Sequence, residues 1–283
     1  MASIGTRTAA EKAIGGLTRR SVRDGEIMGR AQHGDVASAA YLLYKGKGQP
    51  FGTEADSTPA TGATGVDHIA VLPGGGFLHY GPIVNAGPVL VPQANANGLD
   101  LMLSQTDNEG CNFVPGGLLG SWLMTVERTA GQPVPKGLFI RLRCVITDVS
   151  GTDDFLVGFR KSEAYQAAFD DYDEAAALNV ISGDVFRQTI LNNAATVSVD
   201  TLLNWADGEE HEIEVQVDGK GNVFFFFDGR SAATGAAFQF DDNEAVVPFL
   251  YTLQATDLTN AWLKELEVGT LEQRYNRGVF PRR

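Results

Sequence analysis

Glu210, Glu212 and Glu214 alternate along the run Glu210 to Val217, with His211, Ile213, Val215 and Val217 on the other parity. In a β-strand that spacing puts the three carboxyls on one face. Two carboxyls held roughly 5–5.5 Å apart are the machinery of retaining glycoside hydrolysis, one as acid and one as nucleophile. The same alternation arises on any strand with one wet face. That reading is favoured here: the glutamates form a solvated face, and no catalytic residue is expected. Asp170, Asp171, Asp173 and Glu174, and again Asp241, Asp242 and Glu244, offer oxygens of the kind calcium takes. Neither group has the layout of an EF-hand loop, so both read as solvated acidic loops and no metal is expected. His33, His68, His79 and His211 show no ligand spacing with one another or with Cys111 and Cys144. His211 falls on the apolar parity and reads as a core histidine. Nucleophile elbow, P-loop and dinucleotide fingerprint are all missing. The expectation is a protein that binds rather than an enzyme, with no cofactor.

Charge offers a second kind of chemistry. The net charge is −13, yet residues 1–47 carry eight Lys/Arg against four Asp/Glu, leaving −17 on the rest. Arg19, Arg20, Arg23 and Arg30 in this basic arm are candidate partner contacts. They lack interleaved aromatics and a nucleic-acid-binding fold around them, which argues against nucleic acid. An acidic protein surface, on a neighbour or on another copy of this chain, matches them better, so a homo-oligomer is one expected partner.

The elements that must position these residues divide the chain in three. Residues 1–47 read as an extended, partly helical arm, with Asp35 capping a short helix over Val36 to Tyr44 and Gly46 ending it. Residues 48–76 are rich in Gly, Ala, Thr and Pro, with one strand-like patch at Ile69 to Leu72, and read as a linker. Residues 77–283 hold many short β-branched and aromatic runs between turn signals, the pattern of a β-sandwich. Helical pattern is confined to Ser162 to Phe169 and Glu174 to Leu178. The clearest unit is a hairpin: Glu210 to Val217, the turn Asp218 to Asn222 with two glycines, then Val223 to Phe227. Its second strand is apolar on both parities, so Phe224 and Phe226 are buried or form a packing face for a partner. Cys111 and Cys144 read as buried free thiols. No signal-peptide layout and no apolar run of spanning length is present, so no membrane is expected.

The segment Trp205 to Val215, followed by Gly221 to Phe224 and Asp228-Gly229, resembles the hairpin of laminin-G and concanavalin-like sandwiches. Asp153 to Gln166, Asp171 to Asn179, Thr189 to Asn193 and Val246 to Leu250 narrow the resemblance. Together they look like a domain found in structural proteins of tailed-phage virions, over roughly Gly81 to Gly269. That implies an all-β, concanavalin-like jelly-roll sandwich in a capsid-decoration role, with the major capsid protein or other virion subunits as partners. It implies assembly in a host cytoplasm and location in the virion. The rival it leaves open is a carbohydrate-binding module of a tail or fibre, with a glycan as partner and an exposed Trp or Tyr beside Asp or Asn as its signature. Trp122, Trp205 and Trp262 read as core.

Overall fold

The computed structural model describes residues 41–45, 68–72, 76–83, 93–95, 97–102, 105–117, 120–232 and 235–272. In chain order the strands begin with β1 (Tyr41–Lys45), β2 (His68–Leu72), β3 (Gly76–Ile83), β4 (Gln93–Asn95), β5 (Gly98–Asp100) and β6 (Gly110–Gly117). Next come β7 (Gly120–Ser121), β8 (Met124–Thr125), β9 (Leu138–Ile146), β10 (Thr152–Lys161), β11 (Ala175–Ile181) and β12 (Asp184–Ile190). The last are β13 (Val197–Asn204), β14 (Glu210–Val217), β15 (Val223–Phe227), β16 (Arg230–Ser231), β17 (Ala245–Gln254) and β18 (Ala261–Thr270). Two antiparallel sheets form a jelly-roll β-sandwich. Sheet A runs β16-β15-β14-β9-β18-β5-β4, with β1 also on β18; sheet B runs β13-β12-β11-β10-β17-β6-β3-β2, with β7 and β8 at its margins.

The main core lies between the sheets. Sheet A contributes Ile140, Leu142, Ile213, Val215, Phe225 and Val268, and sheet B contributes Phe113, Phe155, Val157, Phe159 and Leu178. Alternation along each strand makes this possible, since every second side chain reaches the same layer. Cys111 and Cys144 are both buried and unbridged, their thiols pushed up by burial.

A second core covers the other side of sheet B. Residues 162–174 fold back over β10, β11 and β17, and Phe169 and Tyr172 pack there with Leu156, Ala175, Ala177, Phe249 and Tyr251. Phe169 stacks on Phe249 at 6.3 Å between centroids. Tyr172 Oη donates to Asn112 Oδ1 at 2.6 Å, and Tyr251 Oη donates to the Ala167 carbonyl at 2.9 Å. The Tyr165 ring lies so close over Gly81 that a Cβ there would sit 2.5 Å from the ring. Arg160 points outward beneath this cap, its guanidinium 4.8 Å from the Tyr172 ring and donating to the Lys161 and Glu163 carbonyls.

Three local expectations are corrected. The helix expected to end at Tyr44 gives way, over its described part, to strand β1, because the open backbone of β18 pairs with it from Glu265 to Gly269. The helical pattern at Glu174 to Leu178 is strand β11: its alanines are small enough for Ala177 to lie opposite Gly158 beneath the cap. Ser162 to Phe169 is irregular apart from the 3-10 turn Phe169–Asp171. The strand-like patch in the linker is β2, paired with β3. The other residues of 1–75, and the partly helical arm with them, lie outside the described residues.

The hairpin at β14 and β15 forms as its sequence requires. Asp218 accepts from the backbone N–H of Lys220 and Asn222, both at 2.9 Å, and Gly221 takes φ of 87°. At the far edge of sheet B, Leu202 interrupts β13 with φ of 60°, and the register with β12 shifts there.

Phe249→Ala tests the second core. Removing a buried aromatic that touches both Phe169 and Tyr172 should cost about 3–5 kcal/mol, read from the urea midpoint at unchanged m-value.

Candidate functional site

The outer face of sheet A gathers the glutamates singled out by spacing. Strand β14 presents Glu210, Glu212, Glu214 and Gln216; β9 presents Phe139, Arg141 and Arg143; β18 presents Trp262, Glu265 and Glu267. Register sets Arg141 between Glu214 and Glu267, and Arg143 between Glu212 and Glu265. Arg141 donates through Nη1 to Glu212 at 2.7 Å, through Nη2 to Glu265 at 2.5 Å and through Nε to Glu267 at 2.9 Å. Arg143 bridges Glu210 at 2.8 Å and Glu265 at 3.3 Å. Burial works against the charge on Arg141, and the carboxylates around it outweigh that and push its pKa up.

This corrects the solvated-face reading. Glu214 and Glu267 are each only 4% exposed, and Phe139 beside them is 0% exposed. A carboxyl can enter such a place only with charge and hydrogen-bond partners: Glu267 accepts from Arg141, 126 positions away in sequence, and Glu214 lies opposite Arg141 and accepts from Gln216 Nε2 at 2.6 Å. Carboxyls whose oxygens accept from a guanidinium in the same sheet serve to position strands. Phe224, 46% exposed, and Phe226, half-buried, lie on this same face, opposite Gln216 and Glu214. Trp262 is also here, half-buried, and departs from the core position expected of it; Trp122 and Trp205 are core. Arg19, Arg20, Arg23 and Arg30 lie outside the described residues.

His211 is a rim residue and not a core one. Its ring packs against Trp205 and Phe227, both at 4.9 Å, while Nδ1 meets Asp228 at 2.7 Å and Nε2 meets Glu209 at 3.0 Å. Partial burial lowers its pKa, but the bonds to Asp228 and Glu209 prevail and hold it above the usual imidazole value.

The outer face of sheet B, beside the cap, carries a polar ladder that sequence reasoning missed. Asn179 Nδ2 donates to Asp154 Oδ1 at 2.5 Å and to Gln188 Oε1 at 3.0 Å, and Gln188 Nε2 reaches Ser198 Oγ at 3.4 Å. Half-buried Phe186 lies opposite Asn179 and next to exposed Asp200. Burial raises the Asp154 pKa to about 6, with Asp153 and Asp170 adding to it. Asp154, Asn179 and Gln188 are polar residues within strand runs, 25 and 9 positions apart, and nothing in the sequence links the four strands.

Three acids of the two loops are ion-paired. Lys161 meets Glu244 at 3.1 Å and Asp173 at 3.3 Å, and Arg128 meets Asp241 at 3.7 Å. Glu174 is buried, not solvated, accepting from the Asp241 N–H at 3.1 Å. Among the described residues no three His, Cys, Asp or Glu side chains are grouped to hold a metal ion, and no helix is long and apolar enough to cross a membrane.

Fold and faces together define a jelly-roll sandwich with one capped face and one ion-paired face. No family model and no curated protein matches the chain. Among solved structures it is similar to the Shewanella oneidensis MR-1 protein SO2946, at 13% identity and TM-score 0.44 over 94% of this chain and 95% of that one. It is also similar to the carbohydrate recognition domain of Emp46p in its potassium-bound form, at 6% identity and TM-score 0.47 over 68% and 88%. The carbohydrate binding module CBM66 from Bacillus subtilis gives 10% identity and TM-score 0.43 over 68% and 95%.

Arg141→Met should cost about 3–5 kcal/mol, because it strands carboxylates that sit at or below the sheet surface; chemical unfolding measures it. His211 yields a pH signature. Its folded pKa lies above the unfolded value near 6.5, so its stabilisation is complete below about pH 6.5 and lost as pH rises through the folded pKa. His211→Gln should therefore narrow its melting-temperature deficit as pH rises from about 6 to 9.

Proposed function

We propose that this chain is a non-catalytic structural subunit of a virion, docking by its charged surfaces in a capsid-decoration role. The observation that carries this reading is the cap. Segments that resemble the tailed-phage structural domain, Asp153 to Gln166, Asp171 to Asn179, Thr189 to Asn193 and Val246 to Leu250, are scattered in sequence. They converge on β10, the cap, β11, the end of β12 and β17, the elements that build or adjoin the second core. That core covers part of the outer face of sheet B and stiffens the body, which suits a subunit valued for rigidity and interface area. Partners then meet the ion-paired face of sheet A, with Phe224 and Phe226 at its edge, and the basic arm that precedes β1. The partner of that reading is the major capsid protein or another virion subunit.

Residues 41–45 belong to sheet A, so the test removes only residues 1–40. Particles assembled with the truncated chain should carry it at no more than about a tenth of the normal copy number, counted by quantitative mass spectrometry of purified particles. Full occupancy would end the arm-docking reading, and absence of the intact chain from particles would end the virion reading.

Glycan binding is the second reading, favoured by the Asp154, Asn179 and Gln188 ladder beside Phe186. A carboxylate and amides next to an aromatic face are the groups that grip sugar hydroxyls and ring faces. If it holds, glycan-array signal should be lost in Asp154→Asn with the fold intact by circular dichroism.

A further inference from the structure

We propose that Arg187 binds the carboxylate of a small molecule in a slot between the two sheets, at the margin where β12 and β13 face β15. Arg187 stands opposite Leu178 and Val199 in the sheet B register. Leu178 belongs to the main core, and residues opposite one another share a face, so Arg187 enters the sandwich from sheet B. Its guanidinium carbon lies 5.8 Å from the centre of the Phe225 ring on sheet A. The residue is 4% exposed, and its Nε is buried with no hydrogen-bond acceptor. Burial alone acts on its pKa, and lowers it. Arg141 and Arg160 show what such a position otherwise contains. Arg141 meets Glu212, Glu265 and Glu267, while Arg160 donates to two backbone carbonyls beneath two tyrosine rings. For Arg187, contact with one ring offsets only part of the cost of burying a cation.

The walls of the slot supply no counter-charge. Residues 185–190, 197–199, 223–227 and 232–238 contain no Asp or Glu. Asp200 stands opposite Phe186, on the outer parity, and its Oδ1 accepts from the Leu202 N–H. A buried guanidinium calls for an anion, and these walls leave that place to a ligand. Geometry and charge select a carboxylate. A buried Nε–H beside an Nη–H is the side-on fork of the guanidinium, which matches two carboxylate oxygens. One carboxylate cancels one guanidinium, whereas a phosphate dianion would leave a second charge beside Phe225 and Val199. Thr189, two residues along the same face and 5% exposed, adds a hydroxyl donor. Val197, opposite Thr189, is 55% exposed, so the slot opens to solvent at that end of β13. Gly235 closes the other side with φ of 78°, where a Cβ would stand 3.1 Å from Nη2 and 3.2 Å from Val199 Cγ2. With so little of Arg187 exposed, a small acid can reach it and a folded partner's surface cannot.

The slot lies on the opposite side of sheet B from the Asp154 ladder, and the assignment goes beyond the proposed function without depending on it. The test uses the full chain with sodium acetate as the probe, at about pH 7.5 and about 0.15 M ionic strength made up with chloride. Saturation-transfer NMR should detect the acetate methyl on the unchanged chain, and Arg187→Met should abolish that signal. Arg187→Lys keeps the charge but loses the fork, and should weaken binding about tenfold. At about ten times its Kd, acetate should raise the melting temperature of the unchanged chain by about 3 °C and leave Arg187→Met unmoved. In chloride alone Arg187→Met should melt no lower than the unchanged chain, because it replaces an uncompensated buried charge with an apolar side chain. No acetate signal on the unchanged chain, or an equal signal on Arg187→Met, overturns the proposal. So does phosphate that displaces acetate at equal concentration. An Arg187→Met chain that melts well below the unchanged one in chloride also overturns it, since Arg187 would then serve the fold.

Discussion

Leu138, Ile140, Leu142, Cys144 and Ile146 point from β9 into the layer that Phe155, Val157 and Phe159 enter from β10. Keeping that layer dry fixes the parity of the strands around it. Each large apolar side chain buried there contributes about 1.5–3 kcal/mol, and a slip of one residue in β9 would turn the whole row outward. The same slip would drive Arg141 and Arg143 into the core without their carboxylates. Both penalties act together, so the register of β9 against β14 and β18 is specified twice, once by what must be inside and once by what cannot be.

The two outer faces show different answers to the problem of a wide sheet. Sheet B lays its own chain across itself, and Phe169, Tyr172, Phe249 and Tyr251 make a second apolar cluster whose polar edges close through Asn112 and the Ala167 carbonyl. Sheet A uses a lattice of guanidinium and carboxylate across three strands. Such pairs add little net stability compared with apolar packing, because desolvation offsets most of the attraction. Their contribution is discrimination: Arg141 accepts only a neighbour that brings a carboxylate to the same height.

Much of this was legible in the sequence. The β14–β15 hairpin follows from strict alternation and a turn with two glycines, and the inward placement of Ile213, Val215, Phe225 and Phe227 could be read directly. What could not be read was anything decided by a partner far along the chain. Glu214 looks like any exposed strand glutamate until Arg141 is placed opposite it, 73 positions away by the register. Ala175 to Ala177 carry helical propensity, but a strand wins because the capped sheet has room only for small side chains there. The Asp154 ladder was hidden for the same reason, since its members come from four strands and meet only when the sheet is built.

The interruption at Leu202 has a bearing on how copies of this protein can meet. Sheet B ends at β13, and a regular outermost strand would present a row of unpaired backbone groups to any other strand. Here Leu202 turns its backbone to the left-handed region and stands 82% exposed, its N–H taken by the Asp200 side chain at 2.7 Å. The bulge breaks the straight run of donors and acceptors that strand-to-strand polymerisation requires. A second copy that meets this edge of sheet B therefore cannot extend it by regular strand pairing past Leu202.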